Sequence, residues 1–199
     1  MRHIKLVIFL AILAVGTGLF MKAASNNPSV RGQDPNVETR GTNTGGVPPA
    51  PTVGTSGVTW RGDGSWVADA AEMGAAEVAL GALAERRATS PDVKALAAEL
   101  HRDHAAAGSE LQSLASRKNW QAPQSSDALH AQALEALDRT QSSEFDRAYV
   151  DAMVAAHQKA LASFRTAASS ATDPDLRAWS AKQIPALEQH LEHAQRLKK

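Results

Sequence analysis

The chain of 199 residues contains no cysteine. That single absence excludes disulfides, thiolate metal sites and cysteine nucleophiles. Aromatic residues make up only 5%. Paired carboxylates could therefore not act on a sugar here, because there is no ring platform to hold one. Basic and acidic residues balance at 21 each, which removes the electrostatic case for a nucleic-acid partner. No G-x-S-x-G elbow, P-loop or dinucleotide fingerprint occurs in the alanine-rich part of the chain. Strand-like alternation is missing, and no heptad repeat persists long enough for a fibrous coiled coil.

What is present begins with MRHIKLVIFLAILAVGTGLFMKAAS. Two basic residues, Arg2 and Lys5, precede an apolar run over residues 6–21. The run has the length of a signal-peptide core and is slightly short for a membrane span. Residues 1–24 read as a cleaved signal peptide or a retained N-terminal membrane anchor. Either way the basic end stays in the cytoplasm and the rest is exported, to the periplasm or cell envelope. Residues 25–59 follow, rich in Gly, Pro, Thr and Asn and without apolar periodicity. They cannot bury enough surface to offset ordering entropy, so they read as a disordered linker.

Residues 60–199 read as one helical domain. The spacing predicts a helix over about 65–87, with Val67, Ala70, Met73, Glu77, Leu80 and Ala84 on one face. Ser90-Pro91-Asp92 supplies an N-cap, a first-turn proline and an acidic dipole partner. The helix it starts runs to about residue 117, with Val93, Leu96, Leu100, His104, Ala107, Leu111 and Leu114 on its stripe. DALHAQALEALDR, residues 127–139, predicts a short helix with Leu129, Leu134 and Leu137 on one side. Ser142 or Ser143 is expected to cap a helix to about residue 168, carrying Asp146, Tyr149, Met153, His157, Leu161 and Phe164. Asp173-Pro174-Asp175 repeats the cap–proline–acid start. The last helix carries Leu176, Trp179, Gln183, Leu187, His190, Ala194 and Leu197, and Pro185 should kink or break it. Four long amphipathic helices and one short one predict an all-α, up-down four-helix bundle with an extra helix between its second and third members.

Each long stripe is interrupted once by a polar residue: Glu77, His104, His157 or His190. At ~1.5 Å per residue, Glu77 and His104 lie roughly 18–22 Å from the first turn, and His157 and His190 roughly 20–28 Å from the last. The four can therefore meet at one level. Left unpaired there, they would cost several kcal/mol. Three imidazoles and a carboxylate suit one transition-metal ion, Zn, Fe or Cu. Asp103 or Asp146 could orient an imidazole from behind. His101 and His193 stand three residues from His104 and His190 and are accessory donors at most, more simply solvated flank residues. A hydrogen-bonded network that fixes helix register without metal fits the same four residues. His130 reads as a surface residue, and Trp60, Trp66, Trp120 and Trp179 as packing residues near helix ends.

Three segments, AAEVALGALAERRATSPDVKALAAELHRDHAAAGSELQSLA, FDRAYVDAMVAAHQKALASF and DPDLRAWSAKQIPALEQHLEHAQ, resemble a bacterial envelope family known as domain of unknown function 4142. The resemblance covers about residues 66–197. Its pattern falls on Glu77, Asp103, His104, Phe145, Asp146, Tyr149, His157, Pro185 and His190, and it adds Tyr149 to the expected supporting groups. It implies a ferritin-like bundle in an exported protein and names no activity. No Glu-x-x-His occurs, so the di-iron ferritin arrangement is not expected. The readings left open are a metal-binding module for metal handling or envelope stress, a metal-free structural or protein-interaction module, and a small metallo-oxidoreductase; an enzyme is the less expected outcome.

Overall fold

The computed structural model describes residues 52–53, 59–60 and 62–198. The expected leader and most of the expected linker lie outside the described residues. The fold is all-α, with five helices: α1 (Asp63–Arg87), α2 (Pro91–Lys118), α3 (Ala128–Asp138), α4 (Ser142–Ser170) and α5 (Pro174–Leu197). Ahead of them, β1 (Thr52–Val53) pairs antiparallel with β2 (Thr59–Trp60). Two-residue strands are too short to leave a sequence pattern, so this pairing was not foreseen.

The helix ends differ from expectation in instructive ways. α1 starts at Asp63, two residues early, because Gly62 takes φ 128 at its N-cap, a value glycine tolerates without strain. Asn119, in the left-handed region at φ 55, closes α2. α4 is not capped by Ser142 or Ser143. Gln141 holds the N-cap position without a side-chain bond, and both serines lie inside the helix. Nor does Pro185 break α5, which continues to Leu197. Pro185 and Ala181, one turn before it, are exposed. The turn in which proline removes a backbone hydrogen bond thus lies on the exposed side of the helix.

α1 packs mainly on α2, and α4 mainly on α5. Gly81 lets the first pair approach: a Cβ there would come 2.9 Å from the Cβ of His101 and 3.0 Å from the carbonyl of Ala97. The two turns, Thr89-Ser90-Pro91-Asp92 and Thr172-Asp173-Pro174-Asp175, are held alike. Asp146, at the start of α4, accepts from the Thr89 hydroxyl and from the backbone N–H groups of Thr89 and Ser90, at 2.6–3.2 Å. Asp63, at the start of α1, accepts from the N–H groups of Thr172 and Asp173 at 3.1 and 2.6 Å. Each helical pair thus lends an aspartate to the other's turn. Asp173 caps α5 from within, as expected, whereas the Ser90 side chain makes no cap bond.

Apolar stripes bury into two clusters. One, toward the α1–α2 turn, contains Leu80, Leu96, Leu100, Phe145, Tyr149 and Met153. The other, toward the α4–α5 turn, contains Trp66, Leu111, Leu161, Phe164, Leu176 and Leu187. α3 contributes Leu137 to the first cluster, with Leu134 packed against it. Leu129, expected on that face, is instead 40% exposed. Arg87 ties the end of α1 to α3, bonding the Asp138 carboxylate at 2.8 Å and the Thr140 carbonyl at 2.7 Å, with its guanidinium 5.0 Å from the Phe145 ring centre.

Candidate metal centre

Between the two clusters lies a polar layer with one residue from each long helix. Glu77 (α1), His157 (α4) and His190 (α5) are 4%, 0% and 2% exposed. His104 (α2) completes the layer with its side chain 12% exposed. Helical periodicity puts them there: each sits one turn from a buried stripe residue, such as Leu80, Leu100, Met153 and Leu187. The three imidazole ring centres stand 5.4–5.5 Å apart pairwise. One ring nitrogen from each lies within 4.8 Å of the others.

Hydrogen bonds fix how each ring presents itself. His157 Nδ1–H donates to the Met153 carbonyl at 2.9 Å, leaving the Nε2 lone pair to face the layer. That Nε2 is 3.4 Å from His104 Nε2. His104 Nε2 also lies 2.5 Å from Glu77 Oε2, and His157 Nε2 lies 3.9 Å from the same oxygen. His190 Nε2 meets Asp103 Oδ2 at 3.1 Å. Two atoms of the layer are buried without a hydrogen-bond partner: Glu77 Oε1 and His190 Nδ1.

Electrostatics set the Glu77–His104 pair apart from the other two rings. Burial pushes the Glu77 carboxyl up, but the His104 and His157 imidazoles outweigh it and hold the group down at about 2. Burial pushes His104 down, and the Glu77 carboxylate reverses this by charge and hydrogen bond, so His104 ends raised. His157 and His190 have no bonded carboxylate at such short range, and burial lowers both.

The other expected residues lie elsewhere. Asp146 does not reach an imidazole; it is spent on the Thr89–Ser90 turn. The Tyr149 hydroxyl is buried in the first cluster without a hydrogen-bond partner. Burial and the charges of Glu77 and Glu85 push it well above the usual phenol range. His101 leaves the layer for Glu85, 2.7 Å away on the outer flank. His193 pairs with Glu99 at 2.8 Å, and His130 with Asp127 at 2.7 Å. Glu99 was missed in the sequence. Together with Asp103 and His190 it forms a second, more exposed donor group beside the first. Its only sequence signal is its position four residues before Asp103, which places both on one face of α2.

A cavity of about 230 Å³ reaches the layer from the side of the second cluster, and Glu77, Asp103, His104 and His190 line its inner end. Glu110, Lys182 and Gln183 also line it. Lys182 bonds Glu110 at 2.7 Å, joining α5 to α2.

Comparison with known proteins agrees with this fold. The crystal structure of a DUF305 fragment from Deinococcus radiodurans is similar over 68% of this chain and 93% of that one, at 13% identity and a TM-score of 0.60; it shares the fold. No curated protein matches the chain. The family described as Domain of unknown function (DUF4142) matches residues 49–197. The chain therefore belongs to the DUF4142 family.

Proposed function

We propose that this protein binds one transition-metal ion, Zn, Fe or Cu, through Glu77, His104, His157 and His190, with Asp103 orienting His190. The observation that carries the reading is the 3.4 Å gap between His104 Nε2 and His157 Nε2. Two nitrogens each bound at about 2.0–2.1 Å to a tetrahedral ion stand about 3.4 Å apart. The unpartnered His190 Nδ1 and Glu77 Oε1 are the kind of buried donors that an ion would satisfy. Asp103 on the far nitrogen of His190 is the carboxylate–histidine arrangement that raises ligand basicity and fixes the ring. Three imidazoles and one carboxylate suit a single borderline ion better than a carboxylate-bridged pair.

The architecture in this reading is a ferritin-like, up-down four-helix bundle. In support, two tightly packed helical pairs are joined by three-residue turns at opposite ends, and one polar residue per long helix meets midway. The basic-then-apolar start of the chain supports a location in the periplasm or envelope, secreted or tethered through residues 6–21, and with it a role in metal handling or envelope stress. No described helix is long and apolar enough to cross a membrane. A protein-docking role has less support, because Leu129 is the only large apolar side chain exposed among the described residues.

The test is elemental analysis of the full chain, expressed in its own compartment and purified without chelator or affinity tag. Near one ion per chain is expected, falling to background in His104→Ala/His157→Ala with helicity retained. A cooperative, helical protein that arrives metal-free and refuses added Zn²⁺, Cu²⁺ and Fe²⁺ would leave the Glu77–His104 and Asp103–His190 bonds as a purely structural network.

A further inference from the structure

Beside the inner layer, α2 and α5 present polar donors to each other. Glu99 and Asp103 stand one turn apart on α2 and meet His193 and His190 on α5. One ligand atom each from Glu99, Asp103 and His190 lies within 4.8 Å of the others. His190 is the residue that this group shares with His104 and His157. Carboxylates at a surface are common by themselves. This pair differs because it closes on a buried imidazole whose other nitrogen has no hydrogen-bond partner.

The two carboxylates are held in place but not saturated. His193 Nδ1 meets Glu99 Oε2 at 2.8 Å, and the Gln189 amide donates to Glu99 Oε1 at 2.8 Å. Each oxygen keeps a second lone pair for an ion. Arg102 donates to Asp103 Oδ1 at 2.9 Å, but its side chain is 71% exposed, and such a pair is weak. Side-chain exposure falls inward, from 33% at Asp103 and 17% at Glu99 to 3% at His190 and 0% at His157. An ion entering the layer directly would lose its hydration before gaining a ligand. Two carboxylates and an imidazole at the edge let it exchange water for protein donors in steps. That donor set attracts a divalent transition metal and repels anions.

We propose that Glu99, Asp103 and His190 form an outer site for a divalent transition-metal ion, from which the ion passes to the inner layer, His190 being the ligand common to both. Binding there replaces the hydrogen bond between His190 Nε2 and Asp103 by bonds to the ion. With fewer imidazoles and more solvent, the outer site is the weaker of the two. Its loading role rests on the metal reading above; its binding does not.

Two measurements test this, both on the full chain after EDTA treatment and dialysis. The first uses His104→Ala/His157→Ala, which lacks the inner donors. Calorimetric titration of that variant with Zn²⁺ should show one saturable site, weak enough to empty during purification. Adding Glu99→Gln should abolish it. Should the alanine pair not fold, His104→Gln/His157→Gln takes its place. The second follows withdrawal of Zn²⁺ from a fluorescent indicator. Glu99→Gln alone should slow uptake by about ten-fold or more, with final ion content and melting unchanged. Glu85→Gln removes an equal charge from the Glu85–His101 pair, outside both groups, and should load at the parent rate. Absence of saturable binding by the double variant overturns the outer site. Equal uptake by Glu99→Gln and the parent overturns the loading role, and equal slowing by Glu85→Gln does so too, by reducing the effect to overall charge. A parent chain that takes no ion into the layer sinks the proposed function and the loading role together, while titration of the double variant still decides the outer site.

Discussion

The two halves of the core, on either side of the polar layer, are built from the same four helices and end in turns of the same design. Toward the α1–α2 turn the space is filled by Leu80, Leu96, Leu100, Met153, Phe145 and Tyr149, and α3 adds Leu137. Toward the α4–α5 turn Trp66, Phe164 and Leu187 pack at the sides and leave a 230 Å³ hollow. The ends do not explain the difference, since Asp146 and Asp63 hold the two turns in the same way. Side-chain volume beside the layer explains it. The positions that face the hollow include Ala70, Gly74, Ala107 and Ala160, and among the described residues α3 does not line it. Hollow space and unpartnered buried atoms thus lie beside the same polar layer.

The largest expected effect separates the halves directly. Leu100 is fully buried in the filled half. Leu100→Ala should cost about 4 kcal/mol, through lost transfer energy and a new cavity. Leu187 is also buried but borders the existing hollow. It has fewer contacts to lose, so Leu187→Ala should cost about 2 kcal/mol. Urea unfolding of the metal-free variants measures both, and equal costs would erase the distinction between filled and hollow.

A second experiment removes the boundary. Replacing Glu77, His104, His157 and His190 together by leucine joins the two clusters into one apolar core. Buried polar groups exchanged as a set for apolar ones are often neutral or stabilising by 1–4 kcal/mol. The expected outcome is a folded chain at least as stable as the metal-free parent, unable to retain metal. A large loss of stability would assign the layer to folding and not to binding.

The layer also gives the two halves a common pH dependence. In the metal-free chain, burial holds His157 and His190 below 6.5, so the unfolded state takes up protons that the folded state refuses. Stability therefore falls as pH drops from 7 toward 5. His104 acts with the opposite sign: raised by Glu77, it stabilises below 6.5 and loses that contribution as pH climbs through its folded value. Glu77, held at about 2, keeps its contribution above 4.5 and sheds it only as pH falls toward 2. Urea midpoints should peak near neutrality. His157→Gln should flatten the acid limb, and an unchanged limb would remove His157 from this account.

Much of this was legible in the chain because a helix has a fixed rise and a fixed period. Stripe positions and distances from the turns place Glu77, His104, His157 and His190 at one level, and the helix boundaries fall within a few residues. Other features depend on what another helix brings. Asp146 lies on its own stripe and so looks like an imidazole partner, yet Thr89 and Ser90 offer it three donors at the end of a different pair. Asp63 does the same at the other end and carries no sequence mark. His101 and His193 are drawn outward by Glu85 and Glu99. The hollow is a shortage of volume shared among four helices, which no single stripe reveals.

The smallest effect tests the likeness of the two ends. Ser90 stands where an N-cap belongs, but its side chain makes no cap bond, and its N–H is satisfied by Asp146 at 2.8 Å. Asp173 stands in the matching place and does cap its helix, accepting from the N–H groups of Asp175 and Leu176. Its carboxylate also meets Lys118 at 2.7 Å. Asp173→Ala should therefore cost about 1 kcal/mol, and Ser90→Ala only a few tenths. Asp146→Ala removes the acceptor that the first turn uses instead and should cost about 1–2 kcal/mol, with metal content unchanged. If Ser90→Ala proved as costly as Asp173→Ala, the first turn would be capped from within like the second. The aspartate lent by α4 would then be redundant, and Asp146 would again be available to support an imidazole.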